Sequence, residues 1–130
     1  MTSFGQRCDQ VRTAAARTLE HCPYHTRRRI DVRTGATSLT QALILAAGGA
    51  VGTGRRGACE PAEPAARELL HAVVVDLLAA AGVTVSAGSC PCGVLARWER
   101  AVADPARIYR LVGAHPAASH HLRVELADAA

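Results

Sequence analysis

The stretch AARELLHAVVVDLLAAAG, from Ala65 to Gly82, carries the clearest structural signal in the chain. Its apolar residues recur at steps of three and four, the spacing that places side chains on one face of an α-helix. Pro61 and Pro64 suit the first turn of such a helix, and Gly82 suits its C-terminus. The pattern predicts an amphipathic helix with a buried stripe of Ala66, Leu69, Leu70, Val73, Val74, Leu77, Leu78 and Ala81.

Two helices are predicted on the N-terminal side of this stretch. Apolar residues at helical spacing between Phe4 and Leu19, with Arg and Asp between them, predict an amphipathic first helix that ends before Pro23. Ser38 and Gln41 form a capping-box pattern at the start of a second helix, from Leu39 to Ala47. That segment is apolar on nearly every side, which is typical of a buried helix. We therefore expect it to be the centre of the fold.

Two further helices are predicted on the C-terminal side. Val94 to Val102 shows helical spacing, and Asp104-Pro105 is a cap followed by proline at the first helical position. The resulting fold class is mostly α: a compact single domain of about five helices around a buried central helix. Its core spans about residues 4–113 and its C-terminal tail 114–130. Weak apolar alternation near residues 30–32 and 122–126 leaves room for one short strand pair.

Composition narrows the class of protein. A chain of 130 residues is long enough for one hydrophobic core, and its formal charge of +4 allows weak attraction to anions. All 15 basic residues are Arg, and Lys and Asn are absent, which indicates a GC-rich coding sequence. The N-terminus lacks the pattern of a secretory signal, and the longest apolar run, Ala42 to Val51, is about half of the roughly 20 residues needed to span a bilayer. We expect a cytoplasmic protein without a membrane partner, whose five cysteines stay reduced.

The order of these segments resembles an actinobacterial family, the domain-of-unknown-function family 6197. The segments VRTAAARTLEHC, TSLTQALILAAGG and LARWERAVADPARIYRLV are similar to its first helix, second helix and closing segment, over Val11 to Val112. Ser38 stands where the family usually has Cys, and Glu99-Arg100 replace the Asn-Asp that follows its tryptophan. The resemblance implies an actinobacterial origin and a shared fold, and it implies no reaction.

Two cysteine-containing segments are candidates for a metal site. Cys22 and His25 have the two-residue gap common among zinc ligands, and Cys90-Pro91-Cys92 supplies two soft thiolates that suit zinc or Cu(I). If the two segments meet, Cys22, His25, Cys90 and Cys92 give a four-ligand zinc site. The alternative is that Cys90 and Cys92 are small, half-buried residues in a turn. A redox dithiol is the weaker interpretation, because one residue rather than two separates the cysteines.

A nucleophilic site is the second candidate. Cys59 precedes a helix and follows arginines, and Ser38 opens the central helix; either needs a histidine such as His71. The alternative assigns Ser38 to a helix N-cap and His71 to the solvated edge of its helix.

Arginines form two basic segments. Arg55 and Arg56, in the loop GGAVGTGRRG, are candidates for binding an anion, although the loop lacks the Lys and the preceding strand of a Walker motif. Arg27, Arg28 and Arg29 form the densest basic patch. The chain has few aromatic residues for stacking and no recognition-helix pattern, so nucleic-acid binding is the less favoured interpretation.

No acid–base pair, triad or nucleotide-binding loop stands out. The leading hypothesis is therefore a small accessory or binding protein that holds a metal, a small anionic ligand or a protein partner. The alternative is a small enzyme of specialised metabolism that uses a Cys or Ser nucleophile with His. A further alternative is a nucleic-acid-associated regulator.

Overall fold

A computed structural model describes residues 2–26, 35–52 and 57–115 and confirms the mostly α fold class. Within these residues there is no β-sheet, and strand-like pairing is limited to two isolated bridges, Tyr24 with Thr37 and Ala50 with Cys59. The predicted alternations at 30–32 and 122–126 lie outside the described residues. The helices are α1 (Phe4–His21), α2 (Leu39–Ala46), α3 (Pro64–Ala80), α4 (Pro91–Val102) and α5 (Pro105–Val112).

Local sequence explains where most of the helices begin. The Ser38 hydroxyl accepts a hydrogen bond from the Gln41 amide at 3.2 Å, which satisfies one of the unpaired amides at the start of α2. The Asp104 carboxylate accepts from the Arg107 amide at the start of α5. A full capping box, which the apolar spacing does not predict, starts α1: Ser3 and Gln6 cap each other's backbone amides.

Helix α4 begins at Pro91, three residues before the predicted start at Val94. Cys90 is its N-cap and Pro91 its first residue, where the missing amide hydrogen of proline is not needed. The Cys-Pro-Cys segment is therefore the start of a helix, and Cys92 lies in the first turn.

Helix α2 is the central helix, as the sequence predicts. Six consecutive residues, 39–44, are buried, because α2 packs against α1, α3 and α4 and leaves no face to solvent. Most of the predicted stripe of α3 supplies the facing side of the core: Leu70, Val73, Val74, Leu77 and Leu78 are buried and Leu69 packs against them, whereas Ala66 and Ala81, at the ends of the stripe, are only half-buried. The largest fully buried apolar side chains are Leu19, Leu39, Leu43, Leu70, Val73, Val74, Leu78, Leu95, Ile108 and Tyr109.

None of the helices in the described part of the chain combines the length and the apolar character needed to cross a membrane.

The bridge between Ala50 and Cys59 positions the segment that leads into α3. The two residues exchange backbone hydrogen bonds of 3.0 and 2.7 Å, which hold residues 57–60 against the C-terminal end of α2. Gly49 makes this contact possible. A Cβ atom there would collide with the Cys59 carbonyl and lie 2.8 Å from the Ile44 carbonyl oxygen.

We predict that Gly49→Ala lowers the free energy of unfolding by about 1–3 kcal/mol, because backbone atoms must move to admit the methyl group. Urea denaturation measures this loss, and hydrogen exchange should show faster exchange of the Cys59 amide. Gly5→Ala is the matched control, since the nearest atom to its Cβ is 4.0 Å away and alanine favours the helix by up to about 1 kcal/mol. Equal stability of Gly49→Ala and the unmodified protein would show that the contact is looser than described.

Candidate functional site

Three potential metal ligands from separate elements converge beside α2. One ligand atom each from Glu60, His71 and Cys92 lie within 4.8 Å of one another. The carboxylate of Glu60 and the imidazole of His71 also lie in direct contact, with Oε1 and Nε2 2.5 Å apart. When Nε2 carries the ring proton it donates to the carboxylate, which accepts, and a metal ion at this point would replace that proton. The cluster therefore places an oxygen, a nitrogen and a sulfur around one point.

Each ligand is placed by a different part of the fold. Glu60 follows Cys59, whose backbone is held by the bridge to Ala50. His71 lies in α3 next to the buried stripe, one residue after the fully buried Leu70. Cys92 lies in the first turn of α4, which packs against α3. The cluster therefore depends on the packing of the two helices, since no two of its residues are close in sequence.

Cys90 lies next to the cluster without belonging to the three-ligand group. Its thiol donates to Glu60 Oε2 at 3.4 Å, a normal distance for a hydrogen bond from sulfur. Oε1 of the same carboxylate pairs with His71, so both oxygens of Glu60 are engaged. Partners of this kind fix the orientation of a metal-binding carboxylate. Cys90 thus orients Glu60.

The three residues of the cluster differ in their exposure to solvent. The side chains of His71 and Glu60 are 33% and 26% exposed, whereas Cys92 is buried. Burial raises the pKa of the Cys92 thiol, and the nearby Glu60 and Cys90 raise it further. A divalent cation at the centre of the cluster would offset this effect, because metal binding replaces the thiol proton.

The cluster opens onto a cleft of about 470 Å³. Glu60, Cys90 and Cys92 line one part of it, and Arg97 and Arg100 of α4 line another. Ligand sites are usually concave regions of this size with a few converging polar groups. The cleft gives small molecules access to the cluster.

A second carboxylate, Glu99, adjoins the same cleft and, unlike Glu60, is buried, with 1% exposure. Its Oε2 accepts from the Tyr24 hydroxyl and the Leu39 amide, both at 2.7 Å. Its Oε1 accepts from the Thr40 hydroxyl at 2.8 Å and the Thr40 amide at 3.2 Å. Glu99 therefore caps the first two amides of α2, while Ser38 caps the third.

Opposing effects act on the ionisation of Glu99. Burial raises the pKa of its carboxyl group, while the hydrogen bonds from Tyr24, Leu39 and Thr40 lower it, and the pKa is raised overall. Tyr109 packs edge-on against Tyr24, with ring centroids 5.6 Å apart. Burial raises the pKa of Tyr109 to about 12, with smaller contributions from Cys22 and Glu99. Glu99 thus ties α4 to α2 in a position closed to solvent.

The structure brings together two of the four metal ligands that the sequence predicts. Cys92 is in the three-ligand group and Cys90 is beside it, whereas Cys22 and His25 are not in that group. Cys22 is the C-cap of α1, and His25 donates its backbone amide to the Thr37 carbonyl. The ligands that join Cys92 are Glu60 and His71.

The candidate nucleophiles are also placed by the structure. Ser38 accepts from the Gln41 amide, as its N-cap interpretation requires. Cys59 is exposed, and its thiol lies 3.9 Å from the Gly57 carbonyl oxygen. His71 is paired with Glu60, the neighbour of Cys59. The candidate anion ligands Arg55 and Arg56 lie outside the described residues, as do Arg27, Arg28 and Arg29, so both predictions stay open.

Sequence reasoning missed Glu60 and Glu99. A signal for Glu99 was present, because Cys92, Leu95, Glu99 and Val102 share the apolar spacing of α4, and a charged residue on such a stripe needs buried partners. The signal for Glu60 was weaker: it is an acidic residue between Cys59 and Pro61.

The chain matches no protein-family model, no curated protein and no solved structure.

Proposed function

We propose that this chain is a small binding protein that holds zinc through Glu60, His71 and Cys92. The observation that carries the proposal is the convergence of their three ligand atoms within 4.8 Å, from a loop and two helices. Carboxylate oxygen, imidazole nitrogen and thiolate sulfur are the three donor types that zinc accepts in proteins. The mixed donor set is unsuited to Ca²⁺ and Mg²⁺, which prefer oxygen ligands.

A zinc ion at this point joins three parts of the fold. It links the segment held by the Ala50–Cys59 bridge to α3 and to the start of α4. Three protein ligands leave one tetrahedral position for water or a small molecule, the arrangement typical of zinc sites with an exchangeable ligand. The role that fits is an accessory or binding protein with one accessible metal position.

A cytoplasmic location belongs to the proposal. It rests on the expectation that the five cysteines stay reduced, which is typical of that compartment. An actinobacterial origin and membership of family 6197 are likewise part of the proposal, supported by the similar segments between Val11 and Val112.

One observation favours a second function, an enzyme with a cysteine nucleophile. Glu60 orients His71 at 2.5 Å, and Cys92 lies in the same group, which is the order of roles in a Cys–His–acid triad. The burial of Cys92 and its raised pKa count against it, because a nucleophilic thiol needs access and a lowered pKa. Alkylation at pH 7 separates the two: selective reaction of Cys92 in metal-free protein supports the enzyme.

The zinc proposal predicts one tightly bound zinc ion per chain, measured by titration with a chromophoric chelator as competitor. His71→Ala and Cys92→Ser should each weaken binding by more than about 100-fold, because each removes a direct ligand, whereas loss of a partner that only orients a ligand typically costs about 10- to 100-fold. Cys90→Ser should have a smaller effect, since Cys90 acts by orienting Glu60.

Cys59→Ser is the matched control for these variants. Cys59 is next to Glu60 in sequence and is exposed, but it is not in the ligand group. Its substitution should leave zinc affinity unchanged. Equal affinities for the unmodified protein, His71→Ala and Cys92→Ser would rule out this site.

A further inference from the structure

One face of α4 forms a wall of the cleft. Cys92, Gly93, Ala96, Arg97 and Arg100 all line it, and their positions i, i+1, i+4, i+5 and i+8 share one side of a helix. Cys92 is at the N-terminal end of this wall and the arginines are at the other. The cleft therefore runs from the ligand cluster to a pair of cations.

The side chains in the middle of this face of α4 are small. Gly93 and Ala96 have the smallest side chains, and a Cβ atom added at Gly93 would meet only the Cys90 Cβ, at 3.8 Å. A ligand has room to lie along α4 between Cys92 and the arginines.

The acidic and basic side chains along the cleft differ in whether they are free to contact a ligand. Glu60 belongs to the ligand cluster, and both oxygens of Glu99 accept hydrogen bonds from Tyr24 and the start of α2. Arg97 and Arg100 are exposed, and no ion pair among the described residues includes either of them. The positive charges are therefore the ones available to a ligand.

The proposed metal site adds an acceptor for a second anionic group. Zinc with one carboxylate, one thiolate and a neutral imidazole would have no net charge, and two of these ligands, Glu60 and Cys92, line the cleft. Along the helix axis, Arg97 is about 7.5 Å and Arg100 about 12 Å from Cys92. The cleft thus offers two anion-binding points separated by a short span.

We propose that the cleft binds a short dicarboxylate, with one carboxylate on the open position of the zinc and the other on Arg97 and Arg100. This inference rests on the zinc site proposed above. Guanidinium groups bind carboxylates through paired, charge-assisted hydrogen bonds, so they favour this ligand class over neutral molecules.

The test uses the full chain loaded with cobalt(II), which accepts the tetrahedral ligands of zinc and has an absorption spectrum sensitive to its inner ligands. Titration with succinate should change the spectrum saturably, and uncharged succinamide should not change it. Arg97→Gln and Arg100→Gln should each weaken succinate binding by about tenfold, since each removes a charge-assisted hydrogen bond.

Arg67→Gln is the control, because Arg67 is exposed on α3 and does not line the cleft. Its succinate affinity should match that of the unmodified protein. If cobalt binds but succinate leaves the spectrum unchanged, the dicarboxylate inference fails while the metal site stands. Equal succinate affinity in the Arg97→Gln, Arg100→Gln and unmodified proteins also overturns it. If cobalt does not bind, both the metal site and the dicarboxylate inference are wrong.

Discussion

Glu99→Ala is expected to lose about 3–5 kcal/mol of its free energy of unfolding, more than we expect for Gly49→Ala. The change leaves four buried donors without their acceptor: the hydroxyls of Tyr24 and Thr40 and the amides of Leu39 and Thr40. It also opens a cavity between α4 and α2. A loss of this size is a large fraction of the roughly 5–15 kcal/mol that stabilises a typical domain.

Urea denaturation followed by circular dichroism measures this loss. Glu68→Ala is the matched control, because Glu68 is an exposed glutamate on α3, and it should change stability by no more than about 0.5 kcal/mol. A loss below about 1 kcal/mol for Glu99→Ala would contradict the capping role.

Glu99→Gln isolates the ionisation of this carboxyl group. Because the folded pKa is raised above the ordinary value of 4.5, the folded state holds the proton more tightly than the unfolded state does. The stability contributed by protonation is fully present below about pH 4.5 and is lost as pH rises through the folded pKa. Tyr109, which lies nearby, stays neutral through this range because its pKa is raised to about 12.

The measurable quantity is the difference in free energy of unfolding between the unmodified protein and Glu99→Gln. The unmodified protein should lose stability relative to Glu99→Gln as pH rises from about 4.5 towards neutral, since glutamine does not titrate. A gain in the stability of the unmodified protein relative to Glu99→Gln over the same range would mean that the four hydrogen bonds outweigh burial in setting the pKa of Glu99.

Zinc is expected to give the second large effect, a gain of about 4 kcal/mol in stability at a free concentration 1,000 times the dissociation constant. The gain arises because zinc binds the assembled cluster of Glu60, His71 and Cys92, which exists only when α3 and α4 are packed. For a chain of 130 residues this corresponds to a rise of about 10–20 °C in the unfolding midpoint.

Thermal unfolding in buffered zinc measures this rise. His71→Ala should show little or no zinc-dependent shift, and calcium should not replace zinc because the site contains nitrogen and sulfur donors. A similar shift in His71→Ala and in the unmodified protein would place the zinc elsewhere in the chain.

The sequence predicted those features of the fold that depend on neighbouring residues. The centre of the α3 stripe, from Leu70 to Leu78, the N-caps Ser38 and Asp104 and the buried character of α2 are local patterns, and the structure confirms them. The predicted start of α4 is three residues late, because the apolar spacing begins at Val94 whereas proline allows the helix to begin at Pro91.

The site could be predicted only in part, because it is made by contacts between distant segments. The thiols of Cys90 and Cys92 pointed to a metal site, and His71 was predicted only as the partner of a nucleophile. Their grouping with Glu60 depends on the packing of α3 against α4 and on the bridge that holds Cys59, and neither has a local sequence pattern. The two-residue gap between Cys22 and His25 matched a familiar ligand spacing, yet spacing alone does not determine which segments meet.

X-ray absorption at the zinc edge tests the central claim most directly, because it counts the donor atoms around the metal. For the zinc-loaded protein we predict one sulfur at about 2.3 Å, with nitrogen and oxygen ligands at about 2.0–2.2 Å. The sulfur should disappear in Cys92→Ser and remain in Cys59→Ser. A first shell without sulfur, or with more than one, would contradict a zinc site made by Glu60, His71 and Cys92.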